Sequence, residues 1–298
     1  MLEGDITMPE LGLAKNDRDL VRRECTMIFH LAAVYDLAVE RQLAMRVNVE
    51  GTRRVNEFAS SLSHLKRYHY VSTCYVAGKR TGRIAESELG HAAGFRNYYE
   101  ETKYLAELEV DALKTSLPVT IHRPAVVCGD SRTGETAKYD GVYYLIQYLR
   151  SWPQLLTHVN IGNREVRLNI VPIDFVIEAI VALADDAASV GATVQLADPA
   201  PLTTHQLFES IAIGLAGHGS RVTFPAQLVH NSLLLPIAPR FTGLPRSAVP
   251  YFFLSQTYDT READRLLAPH GVRCPNFRDY VGNLIAFVAQ RESAAMGE

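Results

Sequence analysis

The sequence is poor in cysteine and has no cysteine pair. Cys25, Cys74, Cys128 and Cys274 are spread over 298 residues without a CxxC spacing. That argues against a disulfide framework and a cysteine zinc site, and fits a reducing, cytoplasmic setting. The 10 histidines contain no HxH or HxxxH pair, so no metal site is expected. Neither sign of charge is in excess, with a formal net charge of -3. Nucleic acid and an anionic membrane surface are therefore not expected partners. Long apolar runs are missing too. The longest, residues 233–238 around Pro236, is far too short to span a bilayer. Residues 1–16 are too polar for a secretory signal. Near the start of the chain, no strand-like run leads into a glycine-rich turn. The later Gly214-x-x-Gly217-x-Gly219 cluster follows a helical pattern and reads as a helix C-terminus.

What is present is an ordinary globular balance, 47% hydrophobic and 21% charged, able to bury a core. The length suits one large domain, or one with an appended lobe. Residues 25–33 (CTMIFHLAA), 68–75 (YHYVSTCY) and 119–127 (VTIHRPAVV) are predicted strands. Residues 39–60 and 98–113 carry apolar positions near a helical period. This alternation predicts an α/β fold with a doubly wound parallel sheet. Beyond Gly129 come a polar loop, a short helix over 141–150, a strand–turn–helix over 169–184 and a strand over 193–197. Asp174 is an N-cap or first-turn acid there. From Pro199 the chain is helical and punctuated by proline, as in a smaller lobe. The expected division is 1–198, the α/β domain, and 199–298, the smaller lobe.

Tyr99 and Lys103 form a Y-x-x-x-K pair, and a spacing of four places both on one helix face. A phenol titrates near ~10, and a nearby ammonium favours its ionised form. Such a pair can relay a proton to or from a substrate oxygen. Thr73 follows a predicted strand, and ligands of open parallel sheets sit beyond the carboxyl ends of strands. Each residue also has a plain reading, as surface helix or strand end. Asp130 and Glu135 read as solvated loop acids, and Cys74 has no histidine spaced to activate it.

Four segments occur in order: His30-Leu31-Ala32-Ala33, Ser72-Thr73 with Gly78, Tyr99 with Lys103, and Arg123-Pro124. Together they resemble the extended short-chain dehydrogenase/reductase family, from about Glu3 to Asp198. The segments Gly129-Asp130-Ser131-Arg132-Thr133-Gly134-Glu135, Asp140-Gly141-Val142-Tyr143-Tyr144 and Val171-Pro172-Ile173-Asp174 resemble its thioester-reductase or male-sterility branch. The resemblance implies an NAD(P)H-dependent oxidoreductase, with 1–198 as its dinucleotide-binding domain, 129–168 on the substrate side, and 199–298 as a substrate-binding lobe. Tyr99 would be its acid-base, Thr73 would hold the substrate oxygen, and Lys103 would tune Tyr99 and bind the nicotinamide ribose. Ala32 and Ala33 would pass close to the cofactor, Pro124 and Val127 would border its nicotinamide end, and Asp5 and Ile6 would touch adenine. Asn48 matches an asparagine behind the site; a helix asparagine bonding backbone across the core is an equal reading. The substrate would be a small carbonyl compound or an acyl thioester, free or carrier-bound. Phe208, Phe224, Leu228, Phe252 and Phe253 are candidates for its apolar site or for plain core.

The same resemblance implies a glycine-rich phosphate turn that this sequence does not show. If residues 4–7 match the end of the family's third strand, roughly 60 residues or more of βαβ structure are missing from the front, and the chain is a truncated form. Residues 25–33 then become an exposed apolar edge, prone to pair with another chain, with a homo-oligomer possible. NAD and NADP, told apart at the missing second strand, are both open. Two rival readings stand: a nucleotide-sugar epimerase or dehydratase using the same residues, and a non-catalytic remnant or binding protein.

Overall fold

The computed structural model describes residues 1–139, 141–225, 228, 231–232, 246–247 and 249–296. Asp140 and the apolar run 233–238 lie outside the described residues. The strands are β1 (Met27–His30), β2 (Arg67–Val71), β3 (Gly82–Ile84), β4 (Val119–Pro124), β5 (Val126–Cys128), β6 (Val159–Asn160), β7 (Ile170–Pro172), β8 (Thr193–Leu196), β9 (Val222–Thr223) and β10 (Gln256–Tyr258). The α-helices are α1 (Lys15–Glu24), α2 (Arg41–Ala44), α3 (Gly51–Ser60), α4 (Tyr98–Ala112), α5 (Val142–Ser151), α6 (Pro153–Leu156), α7 (Ile173–Ala182), α8 (Thr204–Ala216), α9 (Arg261–Leu267) and α10 (Phe277–Met296). A π-helical stretch, Met45–Glu50, joins α2 to α3.

Among the described residues the main sheet has the order β1-β2-β4-β8, and every neighbour is parallel. Strand alternation sends Tyr68, Tyr70, Val119 and Ile121 to one face, against Val55 and Ala59 of α3 and Ala106 and Val110 of α4. Val194 and Leu196 point to the other face, against α7 and α9 through Phe175, Ala179 and Leu266. Helices on both faces bury both sides of these strands, so polar positions such as His69, His122 and Gln195 are buried as well. Arg67, at the start of β2, donates to the carbonyls of Leu183 and Asp186 just past the end of α7. There it satisfies helix-end acceptors on the negative side of the helix dipole.

The run 119–127 is not one strand. β4 pairs with β8, the chain leaves the sheet at Ala125, and β5 pairs with β7. Similarly, 68–75 ends as a strand at Val71, and Cys74–Ala77 is a 3-10 turn. Both breaks open the carboxyl end of the sheet. No described strand pairs with the outer side of β1, where Phe29 is 40% exposed.

Beyond the sheet, α5, α8 and α10 share a core that includes Ile146, Leu149, Phe208, Ile211 and Leu284. Helix α8 begins with a capping box between Thr203 and Gln206. It ends at Gly217, whose φ of 73° is the left-handed cap that glycine favours.

Candidate active site

The site is built at the carboxyl ends of β1, β2 and β4. Thr73 leaves β2 in extended conformation and caps the 3-10 turn, accepting from the Tyr75 amide at 3.2 Å. Its hydroxyl donates toward the Pro124 carbonyl, 3.5 Å away at the end of β4. Gly78 closes this turn with a φ of 58°. A Cβ there would lie 2.3 Å from the Gly94 carbonyl, so both conformation and space require glycine.

Helix α4 starts where Asn97 accepts from the Glu100 amide, with Glu100 and Glu101 in its first turn. Its second residue is Tyr99, 6% exposed, and one turn later comes Lys103, 3% exposed. The Tyr99 phenol lies beside the Thr73 hydroxyl. Burial pushes the Tyr99 phenol well above its ordinary value, and the neighbouring Thr73 hydroxyl opposes that rise. Burial pulls Lys103 down to about 7, against the opposing charge of Glu107. The Lys103 ammonium donates to Tyr70 Oη at 2.9 Å and to the Val71 carbonyl at 2.8 Å.

The other expected residues are placed as follows. Ala32 is exposed and Ala33 half-buried, in the loop after β1. Asn48 is buried and bonds both the amide and the carbonyl of Val34, and Thr102 Oγ1. It ties the post-β1 loop to α4, which is the backbone-bonding role. Ile6 packs against Gly51 of α3, where a Cβ would come within 2.8 Å of its Cδ1. Asp5 is exposed and accepts from the Thr7 amide, which lowers its pKa. Pro124 ends β4. Val127 packs with the α7 and α9 core, and its neighbour Val126 faces the cavity instead.

That cavity, about 320 Å³, is lined by Tyr35, Leu37, Tyr75, Val126, Tyr144 and Phe252, among others. Tyr35 packs edge-on against Tyr99, with ring centroids 5.2 Å apart. Tyr75, two residues after Thr73, packs edge-on against Tyr251 at 4.6 Å. The hydroxyl pair thus stands one ring away from an aromatic-walled space. Of the apolar candidates downstream, Phe252 lines the cavity and Phe208 is core. Phe253 packs near Val249, while Phe224 and Leu228 are exposed. Asp130 is held down to about 2 by Arg132 at the surface, as suits a loop acid. Asp174 lies in the first turn of α7 and accepts from the Ser131 amide and hydroxyl, fixing that loop.

The matching family model, described as "Male sterility protein" and NAD-binding, covers residues 1–180. The chain belongs to this family. The Drosophila melanogaster "Fatty acyl-CoA reductase wat" is 26% identical over 213 residues, 63% of this chain and 41% of that protein. The chain therefore spans under half the length of that relative. The terminal R domain of the myxalamid PKS-NRPS pathway superposes with a TM-score of 0.80 at 25% identity, covering 98% of this chain and 75% of that one. A thiolation-reductase di-domain from an archaeal non-ribosomal peptide synthetase shares the fold, with a TM-score of 0.74 at 17% identity over 98% of this chain and 62% of that one. This male-sterility chain is thus of the extended short-chain, thioester-reductase-like type, with a Rossmann-like sheet and a helical C-terminal region.

The residues fit the nicotinamide half of a dinucleotide. A buried lysine and two neighbouring hydroxyls, Thr73 and Tyr99, stand at the strand ends. For the pyrophosphate, no described strand runs into a glycine-rich turn. Glu107, Tyr70 and Thr52, behind the site, were not singled out from the sequence. Glu107 repeats the spacing of four, Tyr99–Lys103–Glu107, a signal that was available. The others come together only across strands.

Proposed function

We propose that this chain is an NAD(P)H-dependent reductase of an acyl thioester, free or carrier-bound, or of the aldehyde derived from one. The observation that carries this reading is the Thr73–Tyr99 hydroxyl pair beside an aromatic-walled cavity, at the carboxyl end of a parallel sheet. When bound, the nicotinamide supplies the hydride to the carbonyl carbon. Thr73 holds the carbonyl oxygen by donating to it, and Tyr99 protonates that oxygen as charge develops there. Burial keeps the Tyr99 phenol protonated, which suits an acid in the reducing direction. Lys103, titrating near 7, can carry a proton either way at neutral pH. We assign 1–198, with 129–168 on the substrate side, to cofactor binding, and 199–298 to the substrate. Four thiols in one chain suit a cytoplasmic setting. Among the described residues no helix is long and apolar enough to cross a membrane.

The test is NADPH consumption with octanoyl-CoA by wild type and Tyr99→Phe, alongside NADPH binding by fluorescence. The variant is expected to lose about two orders of magnitude or more in turnover and to keep its cofactor affinity. Turnover retained without the phenol would sink the assignment. NAD held tightly with no net consumption would point to epimerase chemistry instead.

A further inference from the structure

One segment of the C-terminal region reaches back to both elements that carry the site's hydroxyls. It comprises a 3-10 turn, Val249–Phe253, and strand β10. Tyr251 and Phe252 line the cavity, so the turn forms part of its wall. The Tyr251 hydroxyl donates to Glu100 Oε1 at 2.6 Å and accepts from Asn97 Nδ2 at 2.8 Å. Asn97 is the cap of α4, and Glu100 directly follows Tyr99. Further along, Gln256 spends both amide hydrogens on one loop. Its Nε2 donates to the Gly78 carbonyl at 2.7 Å and to the Arg80 carbonyl at 2.6 Å. Gly78 closes the turn that Thr73 caps. Beside this loop β10 runs parallel to β3, with Gln256 opposite Gly82.

Plain packing does not require these groups. A phenylalanine in place of Tyr251 would wall the cavity and meet Tyr75 edge-on just as the tyrosine ring does. Glu100 is 0% exposed but already has Arg96, whose Nη1 lies 2.9 and 3.1 Å from its two oxygens. The Tyr251 hydroxyl therefore adds a short, charge-assisted bond to a carboxylate that is neutralised without it. Gln256 is 4% exposed, and backbone pairing holds β10 to β3 whatever side chain stands there. The burial of its amide is offset by the two loop carbonyls and by the Tyr258 hydroxyl, 3.1 Å from Oε1. In a catalytic site about 1 Å of misplacement can cost about 100-fold in rate, so an anchor on each hydroxyl-bearing element has a use.

We propose that Tyr251 and Gln256 are positioning residues, which hold Tyr99 and Thr73 in register from the C-terminal region. Tyr251 fixes the first turn of α4, and with it the Tyr99 phenol. Gln256 fixes the loop that Thr73 opens, and with it the hydroxyl that meets the substrate oxygen. One short segment thus sets the spacing between the acid and the group that holds the oxygen. The Tyr251 ring walls the cavity while its oxygen holds the helix, so filling the cavity and aligning the acid share one residue. Neither residue exchanges a proton with the substrate. The inference rests on the roles of Tyr99 and Thr73 in the function proposed above.

The test removes each anchor at nearly constant volume, with Tyr251→Phe and Gln256→Met in the full chain. The first readout is amide hydrogen–deuterium exchange by mass spectrometry. Residues 98–105 should exchange about tenfold faster in Tyr251→Phe, and residues 74–80 about tenfold faster in Gln256→Met, with α3 unchanged in both. The second readout is octanoyl-CoA reduction by NADPH. In each variant kcat should fall by about tenfold or more, with KM and NADPH affinity within about twofold of wild type. In a Tyr99→Phe background, Tyr251→Phe should change the residual rate by less than about twofold, because it acts through the missing phenol. A merely structural loss would lower that residual rate again. If Tyr251→Phe does not fold, Gln256→Met in a Thr73→Val background gives the same comparison. Unchanged exchange in either variant overturns the proposal. So does faster exchange with unchanged kcat, or a loss that persists in full without the partner hydroxyl. A wild type that turns nothing over, with exchange altered as expected in the variants, refutes the reductase reading while supporting the two anchors.

Discussion

Glu107→Leu leaves a guanidinium buried without its counter-charge. Arg123 donates to Glu107 Oε1 through Nε at 2.8 Å and Nη2 at 2.5 Å. Glu107 also accepts from the Ser72 hydroxyl, next to Thr73. Arg123 is 2% exposed and Glu107 0%, so water cannot replace the lost carboxylate. Breaking a buried pair from one side costs about 3–5 kcal/mol. Arg123 keeps the Glu86 and Glu88 carbonyls through Nη1, both at 3.1 Å. That places the loss near the lower end, about 3 kcal/mol. At about 2–4 °C per kcal/mol, the melting temperature should fall by about 6–12 °C. Removing both charges in Glu107→Leu/Arg123→Met should recover most of this, because an apolar pair of similar volume is often neutral. Urea unfolding followed by circular dichroism at pH 7, on wild type, both single variants and the double variant, measures the coupling. A single variant within about 1 kcal/mol of wild type would refute the reasoning, as would a double variant whose loss equals the sum of the singles.

Two further outcomes follow from the same structure. Gly78→Ala should destabilise the Thr73–Gly78 turn by about 1–3 kcal/mol and depress turnover, since it forces a positive φ and a clash with the Gly94 carbonyl. An unchanged melting temperature would contradict the turn geometry. Acid should destabilise the fold through three buried histidines. Burial holds His30 and His122 down to about 3 and His69 down to about 4, all below the ordinary 6.5. Each folded pKa lies below the unfolded one, so the unfolded chain binds protons first as pH falls. This contribution is complete above about pH 6.5 and is lost as pH drops from there toward 4 and 3. His69 donates from Nε2 to the Ala184 carbonyl, accepts at Nδ1 from His122 Nε2, and leaves His122 Nδ1 without a partner. A melting temperature flat between pH 7 and pH 4 would refute that these rings are held neutral.

The alternation of strand-like and helical segments, the parallel sheet and the order of the motifs were all legible in the sequence, because each rests on local spacing. So was the end of α8 at Gly217, which only needs a residue that tolerates a positive φ. The Tyr99–Lys103 spacing was legible for the same reason, since one helical turn is a local geometry. What Lys103 touches was not, because Tyr70 is 33 positions away and meets it only when β2 packs under α4. The break at Ala125 was hidden because the separation of β4 from β5 comes from their different partners, β8 and β7. That break also decided that Val126, and not Val127, faces the cavity.

The amino-acid sequence by itself determined which segments become strands and helices and which hydroxyl, phenol and amine stand at their ends. Backbone propensity and side-chain period act over a few residues, so a single chain carries that information directly. Only the tertiary structure decided that Asn48 is spent on Val34, that Glu107 neutralises Arg123, that His30 meets Thr52 and that Lys103 meets Tyr70. Those contacts join residues from different strands and helices. Their existence depends on register and packing, where burial makes every unpaired polar atom costly enough to select its partner.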